Sequence, residues 1–398
     1  MRRMIPLAAL SALIGCLVSL VGGGAAEAQA PAPTPSVPPE TSATSRDEVQ
    51  GPSLRGRAQF DALIYSKEAG SKATGTQVRR LYLGAEGDLT PKLSWIAEAD
   101  FSGGEVKVQD AYLAYQANPG LEFVLGHFKV PVTSEDQTSD NHTVFLERSA
   151  YAGTFAPGRR LGLGAHLTGE RWGVRGGLFG ENADKALDGD REESWLLALR
   201  GHVDVLPGQP ALHLGVSAYH HRLEDRGPGV RLSQKPENGR APRAVDTGMF
   251  QADNAGFLGA EAGFGHGPLT VQLEGGAVAY EGPIVNPRLW GWSAQAAWRW
   301  TGEARSYDAA DGVFGRVRPR APLGKGGFGA VETALRLGHL DLSDDVEGGE
   351  MTTYGAVVNW LPVTHLRLSA NLIQAEIKGG RGGDIDETLL ALRAAVDW

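Results

Sequence analysis

The stretch "GWSAQAAWRWTGEARSY" runs from Gly291 to Tyr307 and sets Arg299 between Trp298 and Trp300. Read as a helix, it scatters its tryptophans around the cylinder. Read as a strand with the residue before it, it sorts them. Trp290, Trp292, Ala294, Ala296, Trp298 and Trp300 share one face, and Gly291, Ser293, Gln295, Ala297, Arg299 and Thr301 share the other. One face is aromatic and apolar, the other largely polar, and the fold turns on which of them meets water.

The same period of two recurs from Leu54 onward. Ala58, Phe60, Ala62 and Ile64 oppose Arg57, Gln59 and Asp61. Leu81, Leu83 and Ala85 oppose Arg80, Tyr82, Glu86 and Asp88. Later segments set Arg160, Arg175, Arg200, Arg336, Arg367 and Arg393 opposite leucine-rich faces in the same way. No segment of comparable length fits a helical period as well. Glycine, at 55 of 398 residues, also argues against a mostly helical chain, because interior glycine weakens helices.

Composition narrows the function classes. The formal net charge of -9 disfavours nonspecific nucleic-acid binding. Mean hydropathy is -0.22, and beyond the N-terminus no apolar run is long enough for a membrane helix. Strands can still span a bilayer, since each is short and only half apolar. At the N-terminus, Arg2 and Arg3, the apolar run Ile5–Val21 and the small-residue motifs "AEA" and "AQA" up to Ala30 predict a secretory signal peptide over residues 1–30. "LIGC" at Leu13–Cys16 resembles a lipoprotein box, but apolar residues continue past it. Cys16, the single cysteine, falls within the signal, so the mature chain has no disulfide. Residues 31–53, rich in Pro, Ser and Thr, predict a disordered linker before a domain over residues 54–398.

A soluble sandwich and an outer-membrane barrel both satisfy the alternation. Three features favour the barrel. Segments are about ten residues long, as tilted membrane strands require. Short turns such as "GDLTPKLS" and "NWLPVTHLRL" alternate with longer polar stretches such as "QTSDNHTVFLERSAYAGTF" and "IKGGRGGDIDE". Tryptophans recur at strand ends, at Trp95, Trp172, Trp195, Trp290, Trp300, Trp360 and Trp398, as interfacial girdles require. The last strand, Leu390 to Trp398, finishes with an aromatic residue on its apolar face, where outer-membrane barrels more often carry phenylalanine. The tryptophans around Arg299 then face lipid and Arg299 faces the lumen. An arginine facing lipid near the midplane would cost about 2–4 kcal/mol. Lumenal arginines select anions, and their forked guanidinium matches phosphate and carboxylate oxygens. Asp61, Glu86, Glu98, Asp100, Glu274 and Glu332 share the inward phase, so some arginines are expected in ion pairs.

The segments "VRRLYLGAEGDLTPKLSWIAEADFS", "VQDAYLAY", "LGHFKVP", "FLERS", "FAPGRRLGL", "LTVQLEGGAVAY", "WRWTGEARSYDAADGVFGRVRP" and "VVNWLP", in this order, resemble the phosphate-selective porins O and P of Gram-negative bacteria. The resemblance spans Leu54 to Trp398 and implies an all-β transmembrane antiparallel barrel of sixteen strands. It also implies a homotrimer, a loop folded into each pore, and lumenal basic residues that draw phosphate or polyphosphate to a constriction. "RRLYLG" carries Arg79, Arg80 and Tyr82, and in the family this arginine pair lies near the central anion site. Alternation puts Arg80 and Tyr82 inward and Arg79 at a rim or bulge. "GHFKVP" carries Lys129, just before the expected constriction loop Thr133–Phe155. "FLERS" carries Arg148, and "PGRRLGL" carries Arg159 and Arg160. "TGEARSY" carries Arg305, whose simplest partner is Glu303. Arg175, Arg200, Arg299 and Arg336 complete the candidate lining. Further basic residues of the phosphate-specific members have no match here.

The remaining chemistry is thin. His220 and His221 lack metal-ligand spacing. "GKGGFG" at Gly324–Gly329 lacks the strand and closing Lys-Ser/Thr of a phosphate loop and is expected as a hairpin loop. No Ser-His-Asp or paired-acid motif points to an enzyme. The expected protein is a Gram-negative outer-membrane porin for phosphate or other small anions, in contact with outer-membrane lipids, with no cofactor, metal or nucleic-acid partner. The alternatives are a porin without phosphate preference and a structural barrel that anchors the envelope.

Overall fold

The computed structural model describes residues 49–67, 72–184, 193–206, 210–223, 229–239 and 241–398. The signal peptide and residues 31–48 of the linker lie outside them. Sixteen antiparallel strands close into one barrel. They are β1 (Ser53–Lys67), β2 (Lys72–Thr90), β3 (Leu93–Asp100), β4 (Lys107–Asn118), β5 (Leu121–Lys129), β6 (Arg159–Thr168), β7 (Trp172–Phe179) and β8 (Trp195–Asp204). Then follow β9 (Ala211–Arg222), β10 (Asn254–His266), β11 (Leu269–Glu281), β12 (Arg288–Arg299), β13 (Ala330–Asp341), β14 (Glu350–Val363), β15 (Leu366–Gly380) and β16 (Gly383–Asp397). Closure comes from β1 against β16, with Arg57 opposite Asp397 and Ile64 opposite Leu390.

The strands form because one face meets lipid. Phe60, Leu83, Leu163, Leu199, Leu258 and Leu335 are exposed on the outside, as are Trp172, Trp195, Trp290, Trp298 and Trp300. Arg57, Arg80, Arg200, Arg299, Arg336, Arg367 and Arg393 are buried on the inside. Moving an arginine by one residue tests this phase. Leu199→Arg, next to inward Arg200 on β8, is expected to destabilise the barrel by about 2–4 kcal/mol. Urea unfolding in lipid vesicles reads the loss, and an unchanged midpoint would put position 199 in the lumen.

At the end that carries Ser53 and Asp397 the connections are tight, as at residues 91–92, 119–120, 267–268 and 364–365, which marks it as the periplasmic end. One connection breaks that rule. Residues 300–329, between β12 and β13, form a long insertion at the periplasmic end, and "GKGGFG" is part of it rather than a hairpin loop of its own. At the outer end, the longer connection expected at "IKGGRGGDIDE" is a tight turn at 381–382, because β15 and β16 extend through it.

The lumen departs from a uniformly polar lining. Near the outer end, inward Phe179, Leu196, Phe257, Val278, Leu289, Leu340, Met351 and Ile377 form an apolar core with Val130, Val132, Tyr151, Phe155 and Phe250 from the connections. Glycines on the wall make the approach possible. A Cβ at Gly259 or Gly276 would stand 3.1 or 2.9 Å from the Tyr151 hydroxyl. A Cβ at Gly263 or Gly265 would stand 2.7 Å from the ring of Phe314, which belongs to the periplasmic insertion.

Candidate functional site: a lumen narrowed from both ends

The connection 130–158 between β5 and β6 folds inward, as the segment Thr133–Phe155 was expected to. It carries two short helices, Ser134–Gln137 and Ala150–Phe155. Thr133 begins the first at φ 49 and accepts a hydrogen bond from the Asp136 amide, so the turn holds a strained backbone fixed by its own cap. Ser149 caps the second and donates to Glu135 Oε2 at 2.6 Å.

Side chains of the wall hold this loop by its backbone. Arg393 donates to the Leu146 carbonyl at 2.5 Å and Asn359 to that of Val144 at 2.9 Å, and Arg367 donates to that of Thr143. Lys129 places its ammonium among the carbonyls of Asp136, Gln137 and Thr138, with no carboxylate partner among the described residues. Arg336 is the central bolt. It donates to Glu135 at 2.6 Å, Glu237 at 3.1 Å, Gln295 at 2.9 Å and the Glu147 carbonyl at 2.9 Å, and lies 4.2 Å over the Phe145 ring. Glu237, held at φ 48, also accepts from the Ala150 amide and the Thr353 hydroxyl, which ties residues 223–253 to the inward loop.

Two loop carboxylates gather the basic residues. Glu147 accepts both forks of Arg79 at 2.7 Å, lies 2.8 Å from Arg393 and 3.7 Å from Arg80. Asp140 lies 2.9 Å from Arg148, 3.1 Å from Arg80 and 3.8 Å from Arg57. Arg79 and Arg80 can both face inward because Gln59 pairs with Arg80 and Phe60 with Val78, so Arg79 is the extra residue of a β-bulge. Tyr82 is inward, with Arg57 4.7 Å over its ring. Burial alone would raise the Glu147 carboxyl, but Arg79, Arg80 and Arg393 outweigh it and hold the group well below the ordinary range. Asp140 is depressed in the same way by Arg148, Arg80 and Arg57.

The other candidates are also engaged. Arg148 donates to the carbonyls of Glu135, Asp136 and Thr138. Arg159 forms a bidentate pair with Asp110 at 2.9 and 2.8 Å. Arg160 donates to the Gly180 carbonyl at 2.8 Å, with Glu181 at 3.7 Å. Arg299 pairs with Glu332 at 3.1 Å and donates to Thr270 at 2.7 Å and to the Glu303 carbonyl at 3.0 Å.

Arg175 and Arg200 grip the periplasmic insertion. Arg175 contacts Asp311 and His166. Arg200 binds Glu261 at 2.9 and 2.6 Å and the carbonyls of Asp311 and Gly312 at 2.8 Å. Arg305, expected beside Glu303, instead donates to the Gly315 carbonyl at 2.8 Å, while Glu303 turns to the Arg320 amide and Thr301 hydroxyl. Local spacing suggested that pair, and the fold of the insertion separates it. Sequence reasoning missed Asp140 and Glu147 as hubs, along with Asp311. Their only signal is acidic residues within or beside motifs already singled out for arginine.

A family model described as phosphate-selective porin O and P matches residues 53–398. A protein of Caulobacter vibrioides is 32% identical over 331 residues, or 78% of this chain; the chain spans 66% of that protein, just under two-thirds. Among solved structures, the anion-selective porin from Comamonas acidovorans superposes with a TM-score of 0.58 at 13% identity, over 88% of this chain and all of that one (100%). Pseudomonas putida OprB gives 0.57 at 8%, over 87% and 94%. The trimer form of Vibrio cholerae OmpT gives 0.54 at 12%, over 87% and 99%. At such identities the likeness of the structures establishes the fold alone.

Proposed function

Since the chain belongs to the phosphate-selective porin O and P family and forms an outer-membrane channel of the Gram-negative envelope, we propose that its solutes are small anions, phosphate or polyphosphate among them. The observation that carries this reading is the sharing of Asp140 and Glu147 among Arg57, Arg79, Arg80, Arg148 and Arg393. Each carboxylate sits among several guanidiniums, in a setting that suits a passing oxyanion. An anion that exchanges against these internal carboxylates is bound weakly enough to leave, as flux requires.

The roles divide by position. Arg79, Arg80, Arg148, Arg159, Arg160 and Lys129 form the anion-facing arc with Tyr82, while Arg175, Arg200, Arg299 and Arg336 hold the two insertions in place. Arg305 belongs to the periplasmic mouth. The assembly is a homotrimer on this reading; OmpT of Vibrio cholerae has a trimer form. Residues 1–30 direct export, and residues 31–53 link the signal to the barrel.

A second reading, a porin without phosphate preference or a structural barrel, draws on the near-complete pairing of Arg159, Arg200 and Arg299. Swelling of proteoliposomes separates the readings. With valinomycin present to carry potassium, potassium phosphate is expected to enter faster than an uncharged solute of similar size. Equal rates would favour the unselective porin, and no swelling the structural barrel.

A further inference from the structure

The periplasmic insertion has two halves with different surroundings. The first, up to Phe314, packs inside the barrel wall. The second, residues 318–328, lies against the outer face of the rim. There Phe328 stacks on the outward ring of Trp360 at 5.0 Å, and its carbonyl accepts from the Trp360 indole at 2.9 Å. The Leu323 amide donates to the Pro362 carbonyl at 2.8 Å. On the other flank stands exposed, outward Trp300, and the Arg320 amide is fixed by Glu303 at 3.1 Å. Gly324 and Gly326, at φ 82 and 80, turn the chain around Lys325 and set it at the tip. Between Asp311 and Glu332 the chain carries Arg316, Arg318, Arg320 and Lys325 and no acidic residue. Arg316 is taken by Asp397. Arg320 and Lys325 are exposed, with no carboxylate within 4.0 Å among the described residues. Leu323 and Phe328 are 51% and 44% exposed beside them. In water such apolar exposure gains nothing. At a membrane surface these two side chains reach the acyl boundary while the cations stay at headgroup level.

We propose that Arg320 and Lys325, together with Leu323 and Phe328, form a docking surface for an anionic phospholipid of the periplasmic leaflet. The surface continues the lipid-facing wall, because Phe328 extends the aromatic girdle that Trp300 and Trp360 make at this end. Charge decides which lipid it takes. Two unpaired cations beside apolar side chains favour a headgroup with a net negative charge over a zwitterionic one. The lipid holds the outer half of the insertion against the wall, as Arg175 and Arg200 hold the inner half from the lumen. The surface lies outside the barrel, so the inference is independent of the solute that passes through it.

The test reconstitutes the whole chain in vesicles of equal parts phosphatidylethanolamine and phosphatidylglycerol. The protein is then exchanged into mild detergent, and the phospholipid it retains is counted by native mass spectrometry. Wild type is expected to retain phosphatidylglycerol over phosphatidylethanolamine. Arg320→Gln and Lys325→Gln should each lower that ratio by about fivefold, the worth of one basic residue at an anionic membrane surface, and Lys325→Arg should keep it. Lys92→Gln, on the tight turn 91–92 at the same end, should leave it unchanged. Equal retention of the two lipids, a ratio indifferent to both glutamine variants at the insertion, or an equal loss in Lys92→Gln would overturn the surface. Retention of neither lipid, with wild type sedimenting on peptidoglycan through the same two residues, would assign the segment to the cell wall and overturn it as well.

Discussion

Arg200→Met is expected to destabilise the barrel by about 3–5 kcal/mol, the cost of breaking a buried ion pair from one side. The Arg200 side chain is fully buried between Glu261 and the carbonyls of Asp311 and Gly312. Methionine fills much of the volume but donates nothing. Glu261 would keep only the His213 ring at 2.9 Å, and two carbonyls of the periplasmic insertion would lose their donor. The insertion is then held by Arg175 through Asp311, by His202 through the Ala309 carbonyl at 2.9 Å and by Phe314 against the wall. A weaker grip should widen the periplasmic half of the lumen. Two readouts check this: a lowered urea midpoint in vesicles and a raised single-channel conductance. Lowered stability with unchanged conductance would mean that the insertion does not limit the pore.

Glu147→Gln should act on the other side of the constriction, with a similar cost of about 3–5 kcal/mol. Arg79, Arg80 and Arg393 would share an amide in place of a carboxylate. The inward loop would retain Arg336 on Glu135 and Asn359 on the Val144 carbonyl, so it should fluctuate rather than detach. Removing one negative charge from among three guanidiniums should also sharpen anion selectivity. More current noise together with a reversal potential shifted toward the chloride value is therefore the expected pair. Acid should imitate this variant with a definite sign. Glu147 and Asp140 are depressed in the folded state, so their stabilisation is complete above about pH 4, the ordinary carboxylate range, and is lost as pH falls from there toward their folded values. Glu237 runs the other way. Burial raises it, with Arg336 opposing and Glu135 adding, so its contribution is greatest at low pH and falls as pH rises through its raised value. The part of the channel noise that comes from losing the Glu147 and Asp140 anchors should thus grow only below about pH 4.

The fold was legible because lipid enforces a strict period of two. That is why Arg57, Arg80, Arg200, Arg299, Arg336, Arg367 and Arg393 could be placed inward from alternation alone, and why they are found there. Alternation falters where both faces are apolar. "WLLAL" at Trp195–Leu199 puts Leu197 and Leu199 toward lipid and Leu196 and Ala198 into the inner core, while "HLDL" inverts the phase, burying Leu340 and Leu342 and setting His339 and Asp341 beside outward Trp290. Such apolar inward positions at strand ends mark where an insertion packs, a signal available in the sequence but read as ordinary strand. The β-bulge at Arg79 was visible only as a doubled arginine. The pairings within the site were not visible, since Arg336 meets Glu135 across 201 residues and Arg393 meets Asp61 across 332, and no local spacing encodes them. Nor does anything in "TGEARSYDAADGVFGRVRP" separate a periplasmic insertion from an external loop. Only counting all sixteen strands assigns it to the end with the short turns.

The central claim is that arginines shared around loop carboxylates make this lumen a path for anions. The most direct measurement is the zero-current potential of single wild-type channels in a potassium chloride gradient, repeated after phosphate is added to both sides. A potential on the chloride side, with chloride current reduced by phosphate, is the predicted result. A potential on the potassium side, or one at zero with a current indifferent to phosphate, would contradict it.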